Sequence, residues 1–292
     1  MTSWTGKSKG GVLGYKIFIW CIKHFGLNFA YFLLIFVSAY FVIASGKAFR
    51  ATFYYFHSRL GYNEFKTIIS IFRNYYRFGQ VIIDKVVVLA GFNHKLSFNL
   101  EGKEYLLQMQ NGGILISAHI GNWEIGGQAL DFLQKKINLL VFDSEKQAIK
   151  QYMSEVLTAR NVSFISIGDD FSHLVGIKQA LANKEIIAIH GDRFISGNRT
   201  IKINFLGEPA CFPLGPWLIA SKYNVPVSYV FAVKESAKQY RFYATPLKMI
   251  PSVKNPAQRE EIIVDSMKEY VRELENIVRK YPLQWYNYYN FW

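Results

Sequence analysis

The stretch "GGILISAHIGNWEIGGQAL", residues 112–130, decides how the rest of the chain is read. Its apolar run from Ile114 to Ile116 is short and rich in β-branched isoleucine, so it predicts a buried strand. Gly121 then permits a tight turn. Asn122 is a suitable N-cap for a following helix, which places Glu124 in that helix's first turn. Strand, turn and helix in that order predict one unit of an α/β sheet. His119 falls where the strand should end, and open α/β sheets gather functional groups beyond the carboxyl ends of their strands. A carboxylate beside an imidazole fixes its tautomer and stabilises the imidazolium, so that the ring can take a proton from a hydroxyl. The same spacing also fits a histidine that merely caps a strand.

Similar units fill the chain from about residue 97 onward. β-rich runs occur at "GILISAH", "INLLVFD", "VSFISIG", "EIIAIHGD", "IKINFLG", "PVSYVFAV" and "YRFYATPL". Helical patterns fall between them near Trp123–Leu133, Glu145–Arg160, Phe171–Ala182 and Pro213–Tyr223. A longer one, "PAQREEIIVDSMKEYVRELENIVRKYP", ends at Pro282. The alternation predicts an α/β domain over residues 97–292, with a mixed, mainly buried sheet flanked by helices. The tail after Trp285 carries five aromatics in seven residues, and fits either a core strap or a lipid-facing patch.

The region before residue 97 reads differently. Between His24 and Lys47 lies "FGLNFAYFLLIFVSAYFVIASG", without a charge. As a helix it would be about 33 Å long, close to the roughly 30 Å hydrocarbon thickness of a bilayer. It fits a membrane helix or deep interfacial anchor within residues 1–50, a core helix, or a signal peptide. Its apolar length exceeds the usual signal-peptide core. Lys7, Lys9, Lys16 and Lys23 precede it and Lys47, Arg50 and Arg59 follow, so positive charge does not orient it. Residues 51–96 contain "FKTIISIFRNYYRFGQVIIDKVVVLA", apolar at helical spacing with Arg73, Arg77 and Lys85 among the aromatics. That segment suits a lipid interface and equally suits packing on the domain.

Composition agrees with a folded chain and points to a membrane-associated one: 51% of residues are apolar and 17% aromatic. The net charge of +13 suits an anionic membrane surface, an acidic carrier or nucleic acid. The basic residues are scattered and form no nucleic-acid motif, so no nucleic-acid partner is expected. Two cysteines, Cys21 and Cys211, form neither a CxxC pair nor a His/Cys cluster, and no metal site or disulfide framework is expected.

A second strand strengthens the case for His119. "IIAIHGDRF", residues 186–194, again runs apolar and then reaches His190, Asp192 and Arg193. Two strands ending in charged groups predict a shared cleft. "FLGEPACFPLGPWLIASKY", residues 205–223, reads as a Gly/Pro-rich loop that feeds a helix, and would place Pro213 and Gly215 along an apolar substrate.

"SAHIGNWE", "HGDRF" and "FLGEPACFPLGP", in that order behind an N-terminal apolar helix, resemble the lipid A biosynthesis acyltransferases. These are late acyltransferases of the lysophospholipid acyltransferase superfamily, and the wording here is similar to a Bacteroidetes-type branch. The resemblance implies a lysophospholipid acyltransferase-like fold and a histidine–carboxylate pair with Glu in the acid position. His119 would deprotonate an acceptor hydroxyl, with Glu124 orienting its ring. The hydroxyl would attack an acyl thioester of acyl carrier protein or coenzyme A, with no cofactor. Arg193, oriented by Asp192, would hold an oxyanion or phosphate, and Asn122, Pro213 and Gly215 would line the substrate site. The acceptor would be lipid A-type or a hydroxylated aminolipid, at a bacterial inner membrane with the catalytic domain on the cytoplasmic face. Two rival readings of the residues are a metal-dependent hydrolase using His119, Glu124, His190 and Asp192, and a non-catalytic membrane lipid-binding protein.

Overall fold

The computed structural model describes residues 20–89, 96–125, 130–142, 161–167, 172–194 and 197–292. The expected helix at Glu145–Arg160 and the lysines at positions 7, 9 and 16 lie outside them.

The body is the mixed α/β sheet that the alternation predicted. Its strands are β1 (Ser97–Glu101), β2 (Gly113–Ser117), β3 (Ile137–Phe142), β4 (Val162–Ile167), β5 (Ile186–His190), β8 (Pro226–Lys234), β9 (Gln239–Ala244) and β10 (Lys248–Met249). Their order is β1-β9-β8-β2-β5-β3-β4, with β10 on β8. β2 pairs parallel with both β5 and β8, while β8 and β9 form an antiparallel hairpin. Every residue of β2 is buried, as a central parallel strand covered on both faces requires. A separate hairpin joins β6 (Thr200–Phe205) to β7 (Glu208–Pro213). β7 occupies part of the stretch that reads as a Gly/Pro-rich loop.

Helices α4 (Ser172–Ala182), α5 (Gly215–Tyr223) and α6 (Pro256–Lys280) cover the sheet. Asn255 caps α6 by accepting from the Ala257 and Gln258 amides, and Pro256 supplies a preset first helical residue. Its buried face, from Ile263 through Met267, Tyr270, Val271 and Leu274 to Val278, follows the helical repeat. Where the sequence suggests one helix near Trp123–Leu133, the described parts are two short 3-10 turns, Trp123–Ile125 and Asp131–Leu133.

Three N-terminal helices form a further layer: α1 (Leu27–Ala44), α2 (Gly46–Tyr54) and α3 (Glu64–Leu89). Among the described residues α1 is the one helix long and apolar enough to cross a membrane. It buries Leu27, Ala30, Tyr31, Leu34 and Ser38 and leaves Phe32, Phe36, Tyr40 and Ile43 exposed. A Cβ at Gly79 of α3 would come within 2.4 Å of Leu34 Cδ1, so this glycine sets how closely the two helices approach. The aromatic tail is a core strap: Trp285, Tyr286 and Phe291 are buried, and Trp285 packs edge-on against Tyr55 and Phe205.

A buried polar knot joins these layers. Lys234, the last residue of β8, forms a fully buried ion pair with Asp84 of α3. The hydroxyls of Tyr31 and Tyr240 donate to the same carboxylate. Lys234 Nζ also donates to Tyr31 Oη at 3.1 Å and to the Ala237 carbonyl at 2.8 Å. Burial raises the Asp84 carboxyl and lowers the Lys234 ammonium, and their mutual attraction opposes both shifts. Removing one partner of such a pair leaves an uncompensated buried charge. Asp84→Ala is therefore expected to cost about 3–5 kcal/mol in denaturant unfolding. The double variant Asp84→Ala/Lys234→Met should recover part of that loss.

Candidate active site

β2 and β5 lie side by side with Ser117 opposite His190. Side chains alternate along a strand with a period of two, so residues two places beyond this pair leave the sheet on the same side. Those residues are His119 and Asp192. The turns that carry them depend on glycine. Gly121 has φ of 62°, and a Cβ there would meet the Ala232 carbonyl oxygen at 1.8 Å. A Cβ at Gly191 would press on Ile116, Trp217 and Tyr270 at 2.8–3.0 Å. Tyr270 of α6 also donates its hydroxyl to the Ser117 carbonyl at 2.8 Å, bracing the end of β2.

Asp192 gives both carboxylate oxygens to His119. Oδ1 lies 2.8 Å from Nδ1, and Oδ2 accepts from the His119 amide at 2.9 Å. The carboxylate is buried, with 2% of its side chain exposed, whereas the imidazole keeps 20%. Burial alone would raise the Asp192 carboxyl. Attraction to His119 and the hydrogen bond from it, with Arg193 and His190 adding, outweigh burial and hold the group well below the usual carboxylate range. An ionised Asp192 assigns the Nδ1 proton to His119, so Nε2 carries the lone pair.

The His190 ring lies 4.1 Å from the His119 ring, and Trp123 meets it edge-on at 4.5 Å. Desolvation first, and then the neighbouring His119, push His190 well below the ordinary histidine range despite Asp192, so it is neutral at physiological pH. Arg193 lies beside Asp192, and the two charges attract. It donates to the Tyr286 carbonyl at 2.5 Å and lies over the Tyr289 ring, 5.6 Å from its centre.

The other residues singled out in the sequence are placed as follows. Glu124 has its backbone in the 3-10 turn after His119, and its side chain lies outside the described residues. Asn122 is buried and donates to the Val81 carbonyl at 3.2 Å and to Tyr240 Oη at 3.4 Å, a position between α3 and β9. Pro213 is buried at the end of β7, and Gly215 is exposed at the start of α5, two residues before the Trp217 ring that underlies Gly191. Among the described residues no group of three or more His, Cys, Asp or Glu side chains is arranged to hold a metal ion.

The sequence does not reveal that Gln284–Tyr286 frame the His119 turn. Ile120 bridges Trp285, the Gly121 amide donates to the Gln284 carbonyl at 2.9 Å, and the Tyr286 amide donates to the His119 carbonyl at 3.0 Å. The density of aromatics near Trp285 was the available signal.

Two titration effects at this site act in the same direction. A group whose native pKa is depressed stabilises the fold above its unfolded pKa and loses that contribution as pH falls. Both Asp192 and His190 are of this kind. Melting temperature should therefore fall as pH drops below about 6.5, where the unfolded histidine begins to take a proton that native His190 refuses. His190→Phe should flatten that part of the profile, measured by thermal unfolding at a series of pH values.

The chain matches the model of the bacterial lipid A biosynthesis acyltransferase family over residues 15–292. No curated protein sequence matches it. Among solved structures it is similar to the 1-acyl-sn-glycerophosphate (LPA) acyltransferase PlsC from Thermotoga maritima. That similarity has 15% identity and a TM-score of 0.38, covering 83% of this chain and 95% of that one. With nearly its whole length matched, the chain belongs to the bacterial lipid A biosynthesis acyltransferase family and is an acyltransferase acting on lipids.

Proposed function

We propose that this acyltransferase is a membrane-anchored O-acyltransferase with His119 as its general base. The observation that carries the reading is the His119–Asp192 pair, two residues beyond adjacent parallel strands and in register. With Nδ1–H directed at Asp192, Nε2 takes the proton of an acceptor hydroxyl, and the alkoxide oxygen attacks the thioester carbonyl. The tetrahedral adduct collapses by breaking the C–S bond, and the departing thiolate takes the proton back from the imidazolium. One ester forms and one thiol leaves. Asp192 stabilises the transient imidazolium as the aspartate of a hydrolase triad does. Glu124, five residues beyond His119, is the second carboxylate of the reading and the alternative orienting group, since only one carboxylate can accept the Nδ1 proton while Nε2 is the base. Arg193, steadied by the Tyr286 carbonyl, supplies positive charge for the oxyanion or for a phosphate of a substrate. Pro213 and Gly215, at the entry to α5, are assigned to the lining of the substrate site.

The donor is acyl carrier protein or coenzyme A, and the basic excess favours the acidic carrier. The acceptor is a hydroxylated lipid, lipid A-type or an aminolipid. Exposure in the N-terminal layer supports a lipid surface. The start of α3 buries Thr67, Ser70 and Asn74 while Phe65 is 77% exposed, with Ile68 and Ile69 also outward. Ile43 of α1 is 86% exposed. Such an inverted pattern is costly in water and favourable against acyl chains. We place α1 in the inner membrane of a bacterium and the outward faces of α2 and α3 at its interface, with the sheet on the cytoplasmic side where acyl thioesters are made.

A mass-spectrometric lipid profile of the source cells tests the reading. Wild type, deletion and His119→Ala strains are compared, with the variant expressed at the wild-type level. Loss of one fatty acyl mass from lipid A, or conversion of a diacylated aminolipid to its monoacyl form, in both mutant strains is expected and identifies the acceptor. A normal profile in His119→Ala beside an altered deletion strain would refute the general-base role. In purified enzyme, Asp192→Asn should lower kcat by about 100-fold or more, the range for losing a positioned acid–base group. Glu124→Gln measured in parallel apportions the orienting role between the two carboxylates.

A further inference from the structure

We propose that Asn74 is a positioning residue for this site: it sets the register of the strap at residues 283–286, and the strap in turn holds the backbone of His119. The proposal rests on the reading of His119 as the base. Asn74 is fully buried in the middle of α3. Its amide nitrogen donates to the Leu283 carbonyl at 3.1 Å and to the Trp285 carbonyl at 3.2 Å, and its amide oxygen accepts from Tyr288 Oη at 2.9 Å. The side-chain amide nitrogen is therefore committed to two carbonyls two residues apart.

That spacing reads register. Leu283 lies in the 3-10 turn Pro282–Gln284 and Trp285 is the extended residue that ends it, so a slip of one place would present the wrong carbonyls to Asn74 and displace Trp285 from the core. On the α3 side the strap otherwise meets aromatic side chains, whose packing is non-directional. Tyr75 and Phe78 of α3 pack tilted or edge-on against Tyr288 and Tyr286 at 4.9–5.4 Å, and aromatic packing of this kind tolerates sliding. A leucine at position 74 would fill similar space with no polar group to satisfy, so the buried amide contributes orientation rather than burial.

From the strap the constraint passes directly to His119. Gln284 clamps the end of β8 through two 2.8 Å bonds with the Lys234 backbone, and its carbonyl takes the Gly121 amide. Tyr286 then donates its amide to the His119 carbonyl, while Asp192 Oδ2 takes the His119 amide. The base is thus held at both backbone atoms, from β5 on one side and from the strap on the other. With the backbone fixed, the approach of Nδ1 to Asp192 Oδ1 is fixed as well. Asn122, bound to the Val81 carbonyl of α3, ties the far end of the same turn to the same helix.

The test uses the full chain in lipid vesicles made from cells lacking the enzyme, which contain the acceptor. Thiol release from palmitoyl thioesters of coenzyme A and of acyl carrier protein gives kcat and KM. Hydrogen exchange followed by mass spectrometry gives the protection of the His119 turn and the strap. In Asn74→Leu, exchange across residues 119–122 and 284–287 should quicken by about tenfold or more while α6 stays protected. Donor KM should stay within about twofold and kcat should fall by about tenfold, the loss expected when a base is misplaced by a fraction of an ångström. Should Asn74→Leu not fold, Asn74→Ser keeps one donor and should show the same pattern at smaller amplitude. Unchanged exchange, or quickened exchange with unchanged kcat, overturns the proposal. A loss of activity in strict proportion to the folded fraction also overturns it, because that is what a purely structural role predicts. His119→Ala is run alongside: if it retains activity, the base reading fails, while the exchange data still decide whether Asn74 sets the strap.

Discussion

The register between β2 and β5 is the constraint on which the site depends. Parallel strands pair evenly, and once Ser117 is opposite His190 the chains leave the sheet side by side, with His119 and Asp192 each two residues past the last pair. No flexible loop has to bring the acid to the imidazole. The requirement this places on the chain is steric rather than chemical. Gly121 and Gly191 must have no side chain, since the Ala232 carbonyl and the Trp217 and Tyr270 rings occupy the space a Cβ would need. A fully buried β2, braced by Tyr270 from α6, keeps that register from drifting.

The helical layer is joined to the sheet by polar groups as well as by apolar packing. Tyr31, Asp84, Lys234 and Tyr240 bring together α1, α3, β8 and β9 in one buried hydrogen-bonded group. Desolvating an ion pair costs free energy that a hydrophobic cluster of the same size would not lose, so its gain lies in directional fit. The layer presents its apolar residues outward, at Phe32, Phe36, Tyr40 and Phe65, and could not rely on hydrophobic burial alone to find its place on the sheet.

Much of this was legible in the sequence where a local pattern carries the information. The apolar run ending at His119 marked β2, the repeat in residues 256–280 marked α6, and the uncharged run after His24 marked α1. β7 was not legible, because Pro209 and Pro213 normally argue against a strand. It pairs with β6 alone in a two-stranded hairpin, and an edge position is where the missing N–H of proline does no harm. Asn122 has the composition of a helix cap, yet its amide is committed to Val81 and Tyr240, a contact set by tertiary packing that local propensity does not register. The site was half visible. Nearness in sequence pointed from His119 to Glu124. The carboxylate the described residues hold against the ring comes from Asp192, 73 positions on, and only the strand pairing reveals it.

The strap has a consequence for how the protein folds. Its bonds to α3 join residues 209 positions apart, and those to the His119 turn are nearly as distant. Contacts of such high contact order carry a large loop-closure cost and form late, after the local helices and the central strand pairs. The surroundings of His119 are therefore among the last parts of the molecule to be completed. A partly folded chain can already hold β2 against β5 while His119 still lacks half of its backbone anchors, so completion of its surroundings follows closure of the longest loop rather than formation of the sheet.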